Sequence, residues 1–120
     1  TLTGAAQAKG RLVVYCSATN EMCEVETKAF GEKYDVKTSF IRNGSGALMS
    51  AWAAAGRLIG YYEPHMNPWD ALPGLVLMRE AGGASNDFLA QEGIQRGNPL
   101  LLASQTLYPQ LKKMIPQPLH

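Results

Sequence analysis

A chain of 120 residues is long enough for one core and one domain, and its 46% hydrophobic content excludes an intrinsically disordered polypeptide. Its 11 basic and 10 acidic side chains leave a formal net charge of +1, too little to recruit an anionic polymer at long range. With no basic run interleaved with aromatics and no apolar run near the ~20 residues that span a bilayer, neither nucleic acid nor membrane is expected as a partner.

Thr1 to Gly10 has neither the charged start nor the apolar centre of a signal peptide, so a soluble protein is expected. Arg11 to Cys16 (RLVVYC) is a β-branched, apolar run behind a glycine, as a buried strand requires. Ser17-Ala18-Thr19-Asn20 supplies helix N-cap types, and Glu21, Glu24 and Glu26 follow where carboxylates favour the helix dipole. Met22, Val25, Ala29 and Phe30 recur at helical spacing and predict an apolar face on a helix to about Tyr34. Asp35 turns the chain, and Val36 to Arg42 alternates like a second strand, completing a βαβ unit. Cys16 and Cys23 are too few for a disulfide framework and lack zinc spacing. Two half-buried thiols are the expectation, with a bridge between strand end and helix start as the alternative.

Asn43-Gly44-Ser45-Gly46 opens a second helix, Ala47 to Arg57, whose alanines permit close packing. Leu58 to Glu63 predicts a strand and Pro64 to Pro68 a loop. Trp69-Asp70 starts a third helix to about Ala81, with Pro73 in its first turn and Gly82-Gly83 as the stop. Ala84 to Phe88 is a short strand, Leu89 to Asn98 a polar loop and Pro99 to Ser104 a last strand. A closing helix, Gln105 to Ile115, carries Leu107, Leu111 and Met114 on one face. Trp52 and Trp69 are expected in the core. Strands alternating with helices predict an α/β fold: one three-layer domain over residues 1–120, with a mostly parallel five-stranded sheet and about four helices.

The stretch AWAAAGRLIGYYEPHMNPWDALPGLVLMREAGGASNDF, followed by NPLLLAS, resembles the C-terminal half of the inositol monophosphatase family. The resemblance rests on AAGRL-x-GYYE, WD-x-x-x-G and EAGG in one order and spans about residues 44–115, with residues 47–115 as the phosphatase-like segment. Residues 6–46, AKGRLVVYCSATNEMCEVETKAFGEKYDVKTSFIRNGSG within them, instead resemble periplasmic substrate-binding proteins of ABC transporters. The two likenesses meet at the Gly44–Ala47 turn, which predicts a recombined or engineered chimera.

The phosphatase resemblance implies that Asp70 corresponds to a metal ligand, Glu63 to a residue contacting substrate hydroxyls, and Gly44, Ser45, Gly46 and Ala47 to a turn lying near substrate. It also implies Mg²⁺ as the family cofactor, held by further carboxylates in a Glu-Glu segment and a DP-x-DGT motif. Neither motif occurs here, and one carboxylate does not hold Mg²⁺, so no bound cofactor is expected. Asp70 also reads simply as a helix N-terminal residue complementing the dipole. Ser17, Thr19 and Asn20 form the candidate anion site, because helix starts present free N–H groups, although capping explains the same residues. His65 reads as an exposed loop residue, and no serine has a partner His/Asp pair.

The expectation that follows is a structural domain without evolved catalytic function and not an enzyme. The alternatives are a weak phosphate or sugar-phosphate binding module, or half of a Mg²⁺-dependent phosphomonoesterase that needs a partner. Self-association through a former domain face is the expected partnership.

Overall fold

The computed structural model describes residues 10–16 and 18–120. They fall into two compact units, one ending at Gly44 and one beginning at Ser45.

The first unit is β1 (Arg11–Cys16), α1 (Asn20–Tyr34) and β2 (Lys37–Arg42). The strands pair in parallel, Arg11 opposite Lys37 through Cys16 opposite Arg42, which is the expected βαβ unit. The Thr19 hydroxyl caps α1 by accepting the Met22 N–H, and the helix stops where Asp35 turns left-handed at φ 50°. The apolar face predicted for this helix is not the one it buries. Met22 and Val25 are 49% and 67% exposed, while Cys23 and Thr27, one turn apart, lie inside. A disulfide between Cys16 and Cys23, with Cα atoms 5.9 Å apart, turns that face inward. The pair is therefore bonded, not the two free thiols expected: a strand end and the next helical turn are neighbours in any βαβ crossover. Gly31 keeps α1 close to β2, since a Cβ there would lie 2.8 Å from the Thr38 hydroxyl and 3.0 Å from the Val36 carbonyl.

The second unit is α2 (Gly46–Ala54), β3 (Gly60–Met66), α3 (Pro68–Glu80), β4 (Ala84–Ser85), a 3-10 turn (Ala90–Glu92), α4 (Gly93–Arg96), β5 (Asn98–Ala103) and α5 (Tyr108–Met114). The α/β class is the expected one, but the sheet is not. Among the described residues there are a two-stranded parallel sheet and a three-stranded one in which β5 lies antiparallel between β3 and β4. The cause is the segment expected as a polar loop. Its 3-10 turn and α4 reverse the chain after β4, so β5 returns in the opposite direction. Element order alone does not encode that reversal. β3 also runs on through Pro64 to Met66, with its register broken between Glu63 and Met66, where a proline does least harm to a ladder.

Leu100, Leu101, Leu102 and Ala103 are all buried, as a middle strand covered on both faces requires. Met49 and Ala53 of α2, Tyr61 and Met66 of β3, Ala71 and Met78 of α3, and Phe88 complete this core. The helices α2 and α3 meet where Gly74 abuts the Ser50 side chain, and the buried Ser50 hydroxyl is satisfied by donating to the Gly46 carbonyl at 2.9 Å. Beyond the two-residue β4, the buried Asn86 side chain takes over part of the pairing. Its Nδ2 donates to the Pro99 carbonyl at 2.9 Å, and its Oδ1 accepts the Leu101 N–H at 2.8 Å. Trp69, expected in the core, is 70% exposed, and Trp52 is half-buried. Pro73 stands in the second turn of α3, because the helix already begins at Pro68.

Candidate functional site

The resemblance-derived residues of the second unit sit on three consecutive elements. Ser45 is the N-cap of α2, with its Oγ accepting the Leu48 N–H at 3.3 Å, and Gly46 and Ala47 form the first helical turn. On β3, alternation puts Tyr61 and Glu63 on one face. The Tyr61 hydroxyl donates to Glu63 Oε2 at 2.8 Å. A Cβ on Gly46 would lie 3.0 Å from that hydroxyl oxygen and 2.8 Å from Met66 Cε, so the bare glycine lets the α2 start close onto β3. The first turn of α2, the Tyr61 hydroxyl and the Glu63 carboxylate thus make one continuous polar patch. Tyr61 is buried and Glu63 half-buried, which fixes the first as a positioning group and leaves the second within reach of a ligand. Sequence reading missed Tyr61, and its signal was the two-residue spacing to Glu63.

A single residue, Asn67, joins β3 to α3, and Asp70 lies in the first turn of that helix, half-buried. Its backbone N–H bonds the Asn67 carbonyl at 3.1 Å. Among the described residues no group of three or more His, Cys, Asp or Glu side chains could hold a metal ion. These residues by themselves do not fit Mg²⁺, which needs several charged oxygens. His65 is exposed on β3, not in a loop.

The candidate anion turn lies in the first unit. Ser17 is outside the described residues. The Thr19 hydroxyl is engaged in capping at 3.4 Å from the Met22 nitrogen, and Asn20 is the exposed first residue of α1. The Glu21 carboxyl is held below the usual carboxylate range, first by its own backbone N–H, then by the Thr19 hydroxyl and, more weakly, by Arg42. The turn thus already carries an ionised carboxylate next to its capping hydroxyl. Arg42 Nε donates to the Ala18 carbonyl at 2.8 Å, tying the turn to the end of β2. Gly44, at φ +68°, ends the first unit, so the Gly44–Ala47 turn is divided between the two.

The model of the inositol monophosphatase family matches residues 1–117. The chain belongs to the inositol monophosphatase family. A single family across both units overturns the reading of residues 6–46 as a binding-protein fragment and of the whole as a chimeric or engineered protein. Strand–helix–strand units share the same patterning in many folds, which is why that likeness misled. Membership also overturns the expectation of a purely structural domain without evolved catalytic function, because relatives in the inositol monophosphatase family are phosphatases. Inositol-1-monophosphatase of Mesorhizobium japonicum is 35% identical over 78 residues, covering 65% of this chain and 29% of its own. Nus factor SuhB of Escherichia coli is 40% identical over 75 residues, 58% of this chain and 28% of SuhB. An uncharacterized Haemophilus influenzae protein is 80% identical over 49 residues, 41% of this chain and 14% of its own. Staphylococcal IMPase-II superposes with a TM-score of 0.62 at 24% identity, over 86% of this chain and 42% of that one, a likeness of fold. The chain thus spans less than half the length of each of these relatives. No helix of the described residues is long and apolar enough to cross a membrane.

Proposed function

We propose that this chain supplies the hydroxyl-recognising edge and one metal carboxylate of a phosphomonoesterase site for inositol or sugar phosphates. The carrying observation is the Gly46–Tyr61–Glu63 patch, one residue of linker away from the helix of Asp70. A carboxylate held by a buried phenol is pre-oriented to accept hydrogen bonds from ring hydroxyls. The first turn of α2 beside it offers backbone N–H groups that suit an anionic ester. Names such as inositol-1-monophosphatase and fructose-1,6-bisphosphatase/inositol-1-monophosphatase among the relatives support this substrate class. Asp70 is the residue here that would help hold Mg²⁺ together with further carboxylates, and the ion would supply Lewis-acid chemistry to the site. A complete Mg²⁺ site needs further charged oxygens beside Asp70. The rival anion site at Thr19 and Asn20 is disfavoured because the Thr19 hydroxyl is engaged in capping and the acidic Glu21 stands in the same first turn.

Amide chemical shifts followed during titration with myo-inositol 1-phosphate and Mg²⁺ test this reading. Perturbations are expected at Gly46, Ala47, Tyr61, Glu63 and Asp70, and should vanish in Glu63→Gln. Perturbations confined to Thr19 and Asn20 would overturn it.

A further inference from the structure

The first unit contains a covalent link that is chemically reversible. Of its described residues only Cys23 and Thr27 are buried, and the Thr27 hydroxyl is buried without a hydrogen-bond partner. Phe30 and Gly31 complete the inner face of α1 and are half-buried. Little apolar area therefore binds this helix to β1 and β2, and an unpaired buried hydroxyl works against what there is. The Cys16–Cys23 bridge compensates: it ties the end of β1 to the first turns of α1 across a sequence separation of 7. Such a link acts by restricting the unfolded chain, so it needs no core. The chain has just these two cysteines, and the second unit has none.

We infer that the Cys16–Cys23 disulfide is a redox latch on α1, and that its reduction by a dithiol releases this helix while the second unit stays folded. Cys16 is half-buried and Cys23 fully buried, which makes the Cys16 sulfur the accessible point of attack. A thiolate of the dithiol bonds to Cys16 Sγ, the Cys16–Cys23 bond breaks, and Cys23 leaves as a thiolate that takes up a proton. The second thiol then attacks the mixed disulfide, freeing Cys16 as a thiol and closing the reductant's own disulfide. Two electrons pass from the dithiol to the cystine. The segment released from covalent restraint includes the Thr19 cap and Asn20, so the start of α1 loosens together with its body.

Hydrogen exchange read by mass spectrometry, before and after dithiothreitol, tests the inference, with thiols counted in denaturant. The air-equilibrated protein should show no free thiol and protected amides through 23–34. On reduction, exchange of those amides should rise at least ~10-fold while those of Leu100 to Leu102 keep their rates. The double variant C16S/C23S should exchange like the reduced protein in both regions. Free thiols in the air-equilibrated protein would overturn the latch. So would unchanged exchange in 23–34 after verified reduction, or a rise in β5 in step with α1.

Discussion

The first unit buries Cys23 and Thr27 beneath a single helix, whereas the second buries Met49, Phe88 and the whole run from Leu100 to Ala103 between helices and strands. One is held by a covalent link and hydrogen-bonded caps, the other by apolar area. The difference shows that similar strand–helix patterning can lead to unlike energetics, because the pattern sets which faces meet and not how much they bury. It also places the candidate site in the unit with the larger core. The Glu63 strand and the Asp70 helix both pack on β5, while the rival anion turn belongs to the unit with little core.

The largest expected break in this contrast is Phe88→Ala. It empties a fully buried aromatic site and should cost about 3–5 kcal/mol in the second unit, measured as a fall in the denaturant midpoint. Asn86→Ala should cost about 1–3 kcal/mol, because the Leu101 N–H and the Pro99 carbonyl both lose a buried partner. Gly74→Val should destabilise by a similar amount, about 1–3 kcal/mol, by driving α3 away from Ser50. If either matched a surface substitution, the second unit would not be the tightly packed one. In the first unit the sign reverses. Thr27→Val removes a hydroxyl that has no partner and should raise stability by about 1 kcal/mol, visible as slower exchange in α1. The smallest effect is electrostatic. Glu21 ionises more readily in the folded chain than in the unfolded one. Its stabilisation is full above the unfolded carboxylate range and is lost as pH falls through its depressed folded value. Thr19→Ala should weaken that acid dependence, checked by comparing acid unfolding of the two proteins.

Much of the local structure was legible. An N-cap within Ser17 to Asn20, a turn at Asp35 and the β1 run from Arg11 to Cys16 follow from local chemistry, and local chemistry is what a sequence displays. The direction of β5 was not legible, because it depends on how the 3-10 turn and α4 reverse the chain. The buried face of α1 was misjudged because a disulfide, not hydrophobicity, selects it, and the spacing of two cysteines is compatible with bonded and free states alike. In the site, Glu63, Asp70 and the Gly46 turn came from a family resemblance. Tyr61 went unnoticed because a tyrosine on a strand resembles core packing until its hydroxyl partner is seen.

The rung that Asn86 adds to the sheet differs from its neighbours in one respect: it is made by a side-chain amide, and side-chain amides age. Deamidation would leave the Oδ1 acceptor for Leu101 but replace the Nδ2 donor with a carboxylate oxygen. Two oxygens would then face each other where 2.9 Å now separates donor from the Pro99 carbonyl. Burial of Asn86 therefore protects more than packing. By keeping water from that amide it preserves the pairing of the middle strand over the lifetime of the molecule.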